Sequence, residues 1–75
     1  MTAPQRFAGN RLRSIREHRG ITREELATAA GRGYESISSY ELGRAVPSVE
    51  ALSRMASALG VDVGELFEPD AQAAA

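Results

Sequence analysis

The stretch Ile21–Gly43, ITREELATAAGRGYESISSYELG, constrains this chain more than any other. Thr22 followed three residues later by Glu25 is a capping box, in which each side chain satisfies the other residue's free amide. Leu26, Ala27 and Ala30 then point inward from one helix, and Gly31 ends it where a left-handed backbone costs glycine little. A second short helix follows over about Tyr34 to Leu42, with Ile37 and Tyr40 inward at i and i+3 and Gly43 as its stop. The stretch therefore reads as two short helices joined by a tight glycine turn.

The flanks are helical too. A first helix is predicted from about Phe7 or Ala8 to Arg19, with Leu12 and Ile15 on its inner face and Gly20 as its stop. After Pro47, Ser48 is a natural cap and Glu50 suits the first turn of a fourth helix. Val49, Leu52, Met55, Ala56 and Leu59 make one apolar face there, and Gly60 stops it. Asp62 with Glu65 forms a second capping box, opening a short fifth helix that buries Leu66 and Phe67. No segment sustains period-two alternation, so strands are not expected. The expected fold is all-α, with a core of Leu12, Ile15, Leu26, Ala27, Ile37, Tyr40, Leu52, Met55, Ala56, Leu59 and Leu66. The chain divides into an N-terminal arm (1–8), one domain (9–68) and a flexible tail or start of a linker (69–75). The tail AQAAA suits a complete chain or the first domain of a longer one.

Size and composition remove whole classes of function. Seventy-five residues make one small domain, and such a chain buries only about 60% of its unfolded surface. There is no cysteine, and the lone His18 cannot build a metal site by itself. No run approaches the length of a membrane span, and MTAPQRFAGN has no apolar signal core, so the cytoplasm is the default location. No serine has a histidine–carboxylate setting, Glu65, Glu68 and Asp70 lack calcium-loop spacing, and no phosphate loop occurs. An enzyme is not expected, and no cofactor is implied.

Charge is segregated. Residues 1–32 carry seven arginines against Glu17, Glu24 and Glu25; residues 33–75 carry Arg44 and Arg54 against seven acids. One end of the domain is thus suited to face phosphate while the other faces away. Every basic residue is arginine, a composition typical of a GC-rich bacterial genome.

The order and spacing of Leu12, Ile15 and Arg16; Gly20-Ile21-Thr22; Leu26-Ala27; Gly31; Ile37; Tyr40-Glu41-Leu42-Gly43; Pro47-Ser48; and Leu52 through Ala58-Leu59-Gly60-Val61 with Leu66-Phe67 resemble the phage-repressor/Cro (XRE) helix-turn-helix family. The resemblance covers roughly Gly9 to Phe67. It implies a compact five-helix bundle of the lambda-repressor-like type, with the third helix in the major groove of double-stranded DNA. Carried over position by position, it makes Tyr34, Glu35 and Ser39 the base readers. Arg23, Arg32, Gly33, Ser36, Ser38, Arg44 and Arg11 become DNA-backbone contacts, and Arg16 and Glu41 a structural ion pair. Glu35 can accept from cytosine N4, and Tyr34 can pack on a thymine methyl or a sugar. The first residue of the second helix is usually glutamine in this family and here is Arg23; the residue after Gly31 is usually small and here is Arg32; the third helix is capped by Gly33 instead of serine or threonine. The implied activity is that of a bacterial transcriptional regulator, with repression as the expected sign. Such readers usually work as two-fold dimers, and a weak homodimer through Val63, Leu66 and Phe67 is expected, with an effector domain or protein partner outside this chain as a further possibility. The alternative from another class is a protein-interaction module on the same fold, such as an antitoxin masking a partner. Salt separates the two readings: counterion release makes DNA binding steeply salt-dependent, whereas an apolar protein contact is not.

Overall fold

Four α-helices, a single 3-10 turn and two three-residue strands make up residues 4–70, the part of the chain that the computed structural model describes. In chain order they are β1 (Gln5–Phe7), α1 (Gly9–His18), α2 (Arg23–Ala30), α3 (Tyr34–Glu41), α4 (Val49–Leu59), the 3-10 turn (Val63–Leu66) and β2 (Phe67–Pro69). Residues 1–3 of the expected arm and 71–75 of the expected tail lie outside the described residues.

The helices begin where local chemistry supplies a cap. The Glu25 N–H donates to Thr22 Oγ1 at 3.1 Å, and the Thr22 N–H donates to Glu25 Oε1 at 2.9 Å. The Thr22 N–H, and after it the Thr22 hydroxyl beside the carboxyl, favour the charged form and hold the Glu25 carboxyl below the ordinary carboxylate pKa. Ser48 Oγ likewise accepts from the Ala51 N–H at 3.1 Å to open α4.

One core joins the helices: α2 packs against α3 and α4, α1 against α3, and the 3-10 turn closes over α1 and α4. Leu12, Leu26, Ile37, Met55, Leu59 and Leu66 are fully enclosed, and Ala27, Ala30, Tyr40, Leu52 and Ala56 complete the cluster. Ile15 is only half-buried at its margin. Val49 departs from the expected apolar face, being 83% exposed. At 3.6 residues per turn it lies roughly 90° round α4 from the centre of the buried stripe; Ala51, fully buried, takes the inward place instead.

The fifth helix of the sequence reading is corrected to one 3-10 turn. The Asp62 N–H donates to Glu65 Oε2 at 3.0 Å, so the turn starts as expected. It cannot continue, because Pro69 lacks a donor and drives the preceding residue toward extended backbone. Phe67 is already extended (φ −117°, ψ 156°), and Phe67–Pro69 pairs antiparallel with Gln5–Phe7. These strands were not expected: three residues are too few to show a period of two. Residues 5–7 of the expected arm are thereby anchored. Phe7 faces Phe67 in register and stacks edge-on at 6.3 Å, Arg6 pairs with Glu68 at 3.1 Å, and the Ala8 N–H donates to the Leu66 carbonyl at 2.8 Å.

Gly9 has a packing role that periodicity could not reveal. A Cβ there would stand 2.0 Å from the Tyr40 carbonyl oxygen. The N-terminus of α1 therefore sits directly on the C-terminal turn of α3, an approach only glycine permits.

Candidate nucleic-acid interface

Helices α2 and α3 meet at a corner built by three residues. Gly31 is left-handed at φ 66°, and the Arg32 N–H reaches back to the Ala27 carbonyl at 3.0 Å. Gly33 is extended at φ −80° and caps α3 without a side-chain bond. Ile37 and Tyr40 bury the inner face of α3. Its opposite face begins with Tyr34, 44% exposed, and Glu35, also exposed, while Ser36, Ser38 and Ser39 are half-buried.

Beneath this face lies a charge cluster. Arg16 and Glu41 meet as a two-pronged pair: Nε donates to Oε2 at 2.5 Å and NH2 to Oε1 at 3.1 Å, while NH1 donates to the Ile21 carbonyl at 2.9 Å. Arg23 is the third member, its Nε donating to Glu41 Oε1 at 3.0 Å and its NH1 to the Tyr34 hydroxyl at 3.2 Å. The Glu41 side chain is 1% exposed, so water contributes little to its solvation. Burial pushes its carboxyl up, but the hydrogen bonds and charges of Arg16 and then Arg23 outweigh this and hold it below the ordinary value. The Tyr34 hydroxyl, followed by Glu41, raises Arg23, which stays a cation throughout the working range. Arg13, Arg16, Glu17, Thr22, Arg23, Glu24 and Tyr34 line an open cleft of about 310 Å³ over this cluster.

The other expected contacts fall in different places. Arg32 bends toward α4, donating to Ser48 Oγ at 3.2 Å. Arg44 is exposed just past α3, its backbone N–H held by the Ser39 carbonyl at 2.9 Å. Arg11 is exposed, and its guanidinium donates to the Phe67 carbonyl, on the side of β2. The residues expected at the dimer surface are only partly accessible. Leu66 is fully buried within the protomer, Phe67 is half-buried against Phe7, and Val63 keeps 38% exposure. The larger exposed apolar residues are Leu42, Val46 and Val49, along the junction of α3 and α4.

Sequence reasoning paired Glu41 with Arg16 and did not find Arg23 on the same carboxylate. The contact spans 18 positions between two helices, and no local spacing rule covers it. A usable signal was present: a cation at the first position of α2, unfavourable to the helix dipole, needs a compensating anion.

A family model described as a helix-turn-helix domain matches residues 8–68. An HTH-type transcriptional regulator of Sinorhizobium fredii, y4dJ, is 35% identical over 65 residues, which is 87% of this chain and 84% of that protein. The crystal structure of the restriction-modification controller protein C.AhdI from Aeromonas hydrophila is similar with a TM-score of 0.73 and 31% identity, over 77% of this chain and 88% of that one. SinR, described as the master regulator for biofilm formation and crystallised in complex with DNA, gives a TM-score of 0.71 and 32% identity over 77% of this chain and 94% of that one. Against most of the other curated relatives it matches, the chain spans less than half of their length.

Proposed function

The chain belongs to the helix-turn-helix domain family, in its phage-repressor/Cro (XRE) branch, and on that premise we propose that it binds double-stranded DNA sequence-specifically as a bacterial transcriptional repressor acting in the cytoplasm. The unit 9–68 carries the activity in this reading, with 1–8 and 69–75 as flanks. The observation that carries it is the α2–α3 corner, which leaves the first turn of α3 exposed beside Arg23, with Arg44 exposed past the other end of the helix. Helix α3 lies in the major groove with Tyr34, Glu35 and Ser39 toward base edges. Arg23 and Arg44 hold phosphates on either wall, supported by Arg32, the Gly33 N–H and the hydroxyls of Ser36 and Ser38. The likeness to a DNA-bound regulator supports this assignment. A weak homodimer on half-sites about one helical turn apart fits the same geometry.

Selection of bound duplexes from a random pool, at two salt concentrations, tests the proposal. One preferred site should emerge. With Arg23, Arg32 and Arg44 on phosphates, log affinity should fall with log salt at a slope of about 3 per protomer. Exchanging residues 34–39 should change the selected site. A folded protein without DNA affinity at low salt would refute the assignment and leave the interaction-module reading.

A further inference from the structure

We propose that Glu41 is a positioning residue for DNA binding, holding Arg23 so that Arg23 and the Tyr34 hydroxyl act as one clamp for a single backbone phosphate. This rests on the DNA-binding reading above and specifies how one wall of the groove is gripped.

The argument begins with the Glu41 carboxylate. Arg16 fixes it from within the core through both of its oxygens. One of those oxygens, Oε1, also accepts from Arg23 Nε at 3.0 Å. A guanidinium is planar, so anchoring Nε sets the direction of the whole fork. NH1 then donates to the Tyr34 hydroxyl at 3.2 Å, which fixes a second point. A guanidinium carries five N–H donors, so three remain unused by these two bonds. The Tyr34 oxygen now accepts from Arg23, so its own proton is free to donate outward. The pair therefore offers donors only, together with a positive charge that Glu41 already shares with Arg16. A phosphate, anionic and carrying only acceptors, is the complementary group. Of the two acids on the same cleft, Glu17 is paired with Arg13 at 3.4 Å, and Glu24 is exposed, where solvent screens it. The Arg23 guanidinium also stands over the Tyr34 ring, its Cζ 5.9 Å from the centroid, which leaves the opposite face of the ring for a sugar or a thymine methyl.

The test measures affinity of the folded chain for its selected duplex, and for unrelated duplexes at low salt, over a salt series. Arg23→Lys keeps the charge but cannot reach Glu41 and Tyr34 together. It should weaken every duplex about tenfold with an unchanged salt slope. Tyr34→Phe keeps the ring and should weaken every duplex roughly threefold to tenfold, with base preference unchanged. The double variant should bind no worse than Arg23→Lys alone, since either change opens the clamp. Glu41→Gln, measured where circular dichroism shows it folded, should lose affinity beside Arg23 and lose none further beside Lys at that position. Additive losses, an Arg23→Lys variant that binds like the parent, or a Tyr34→Phe variant that loses preference at one base pair would overturn the clamp. A parent chain that binds no duplex would instead refute the DNA-binding reading itself.

Discussion

Replacing Gly9 with alanine is the smallest change that tests how α1 sets the position of α3. The added Cβ would stand 2.0 Å from the Tyr40 carbonyl oxygen and 2.9 Å from that of Glu41. A relaxed carbon–oxygen contact is about 3.3 Å, so α1 and α3 must part by roughly 1 Å. Both obstacles are backbone, so no rotamer change relieves them. Overpacking of this kind costs about 1–3 kcal/mol. Parting the helices also loosens the Arg16–Glu41 pair, which places the cost toward the upper end of that range. Helix propensity works the other way, by at most about 1 kcal/mol, and less at the first position of a helix. The net expectation is a loss of about 2 kcal/mol, or a fall of about 8–16 °C in Tm for a domain of this size. Gly64→Ala supplies the internal control. Nothing lies within 4 Å of a Cβ there, and its φ is not positive. The same substitution should then stabilise by about 0.4–1 kcal/mol through the unfolded chain. Urea and thermal melts followed by circular dichroism read both. Gly9→Ala melting at or above the parent, or Gly64→Ala falling as far as Gly9→Ala, would refute the packing argument.

Three further outcomes follow from the geometry. Leu26, fully buried, should cost about 2–5 kcal/mol when cut to alanine, measured by urea melts; an unchanged midpoint would mean the core is elsewhere. Gly33→Ser should add about 0.5 kcal/mol by giving α3 a side-chain cap at a position with no Cβ obstruction, and a lower Tm would contradict the cap assignment. Burial raises the Glu41 carboxyl, but Arg16 and Arg23 bring it below its ordinary value. Its folded pKa is therefore depressed, so the stability it contributes is complete above the unfolded value of about 4.3 and is lost as pH falls through the folded one. Glu41→Gln should accordingly lose less stability than the parent on acidification below about pH 4, while the Glu25 contribution, of the same sign, remains. Parallel acid limbs in chemical melts would remove that assignment.

What the sequence disclosed depended on whether a feature was local. The Thr22–Glu25 box, the Ser48 cap and the left-handed Gly31 rest on neighbours within four residues, and each was legible. The four α-helices were legible for the same reason, through apolar spacing. The failures are long-range. Val49 fits a helical apolar pattern but lies at the edge of a stripe whose width is set by α2, which the pattern does not contain. The turn after Asp62 has a helix-like start and ends as a strand, because residues 5–7 offer it a partner some sixty positions away. Leu66 and Phe67 looked surplus to one short helix because Phe7 and Ala8, which cover them, were read as an arm. At the interface the exposed start of α3 was legible from helical spacing. The sharing of Glu41 between Arg16 and Arg23 was not.

That sharing changes how the charge of the chain should be weighed. Counted along the sequence, residues 1–32 hold a surplus of four positive charges over a chain whose total is −1. Folding offsets half of it, because two acids of the other half, Glu68 and Glu41, come to these arginines. Arg6 is paired with Glu68, Arg13 with Glu17, and Arg16 and Arg23 divide one carboxylate, while Arg54 in the other half is paired with Glu50. Arg11 keeps its charge and is turned by its bond to the Phe67 carbonyl. Glu25 and Glu65 close capping boxes and keep their negative charge. A broad positive field is therefore not what this surface presents, and electrostatic steering at a distance is correspondingly weak. What it does present is a few cations whose direction is set by the fold, above all Arg23. Oriented donors gain their energy only at contact distance, where a displaced phosphate loses the bond. In such a protein, recognition of DNA must depend on the α2–α3 corner being correctly built. On the clamp proposed above, the buried Glu41 and the glycine at position 9 act on binding without touching the duplex.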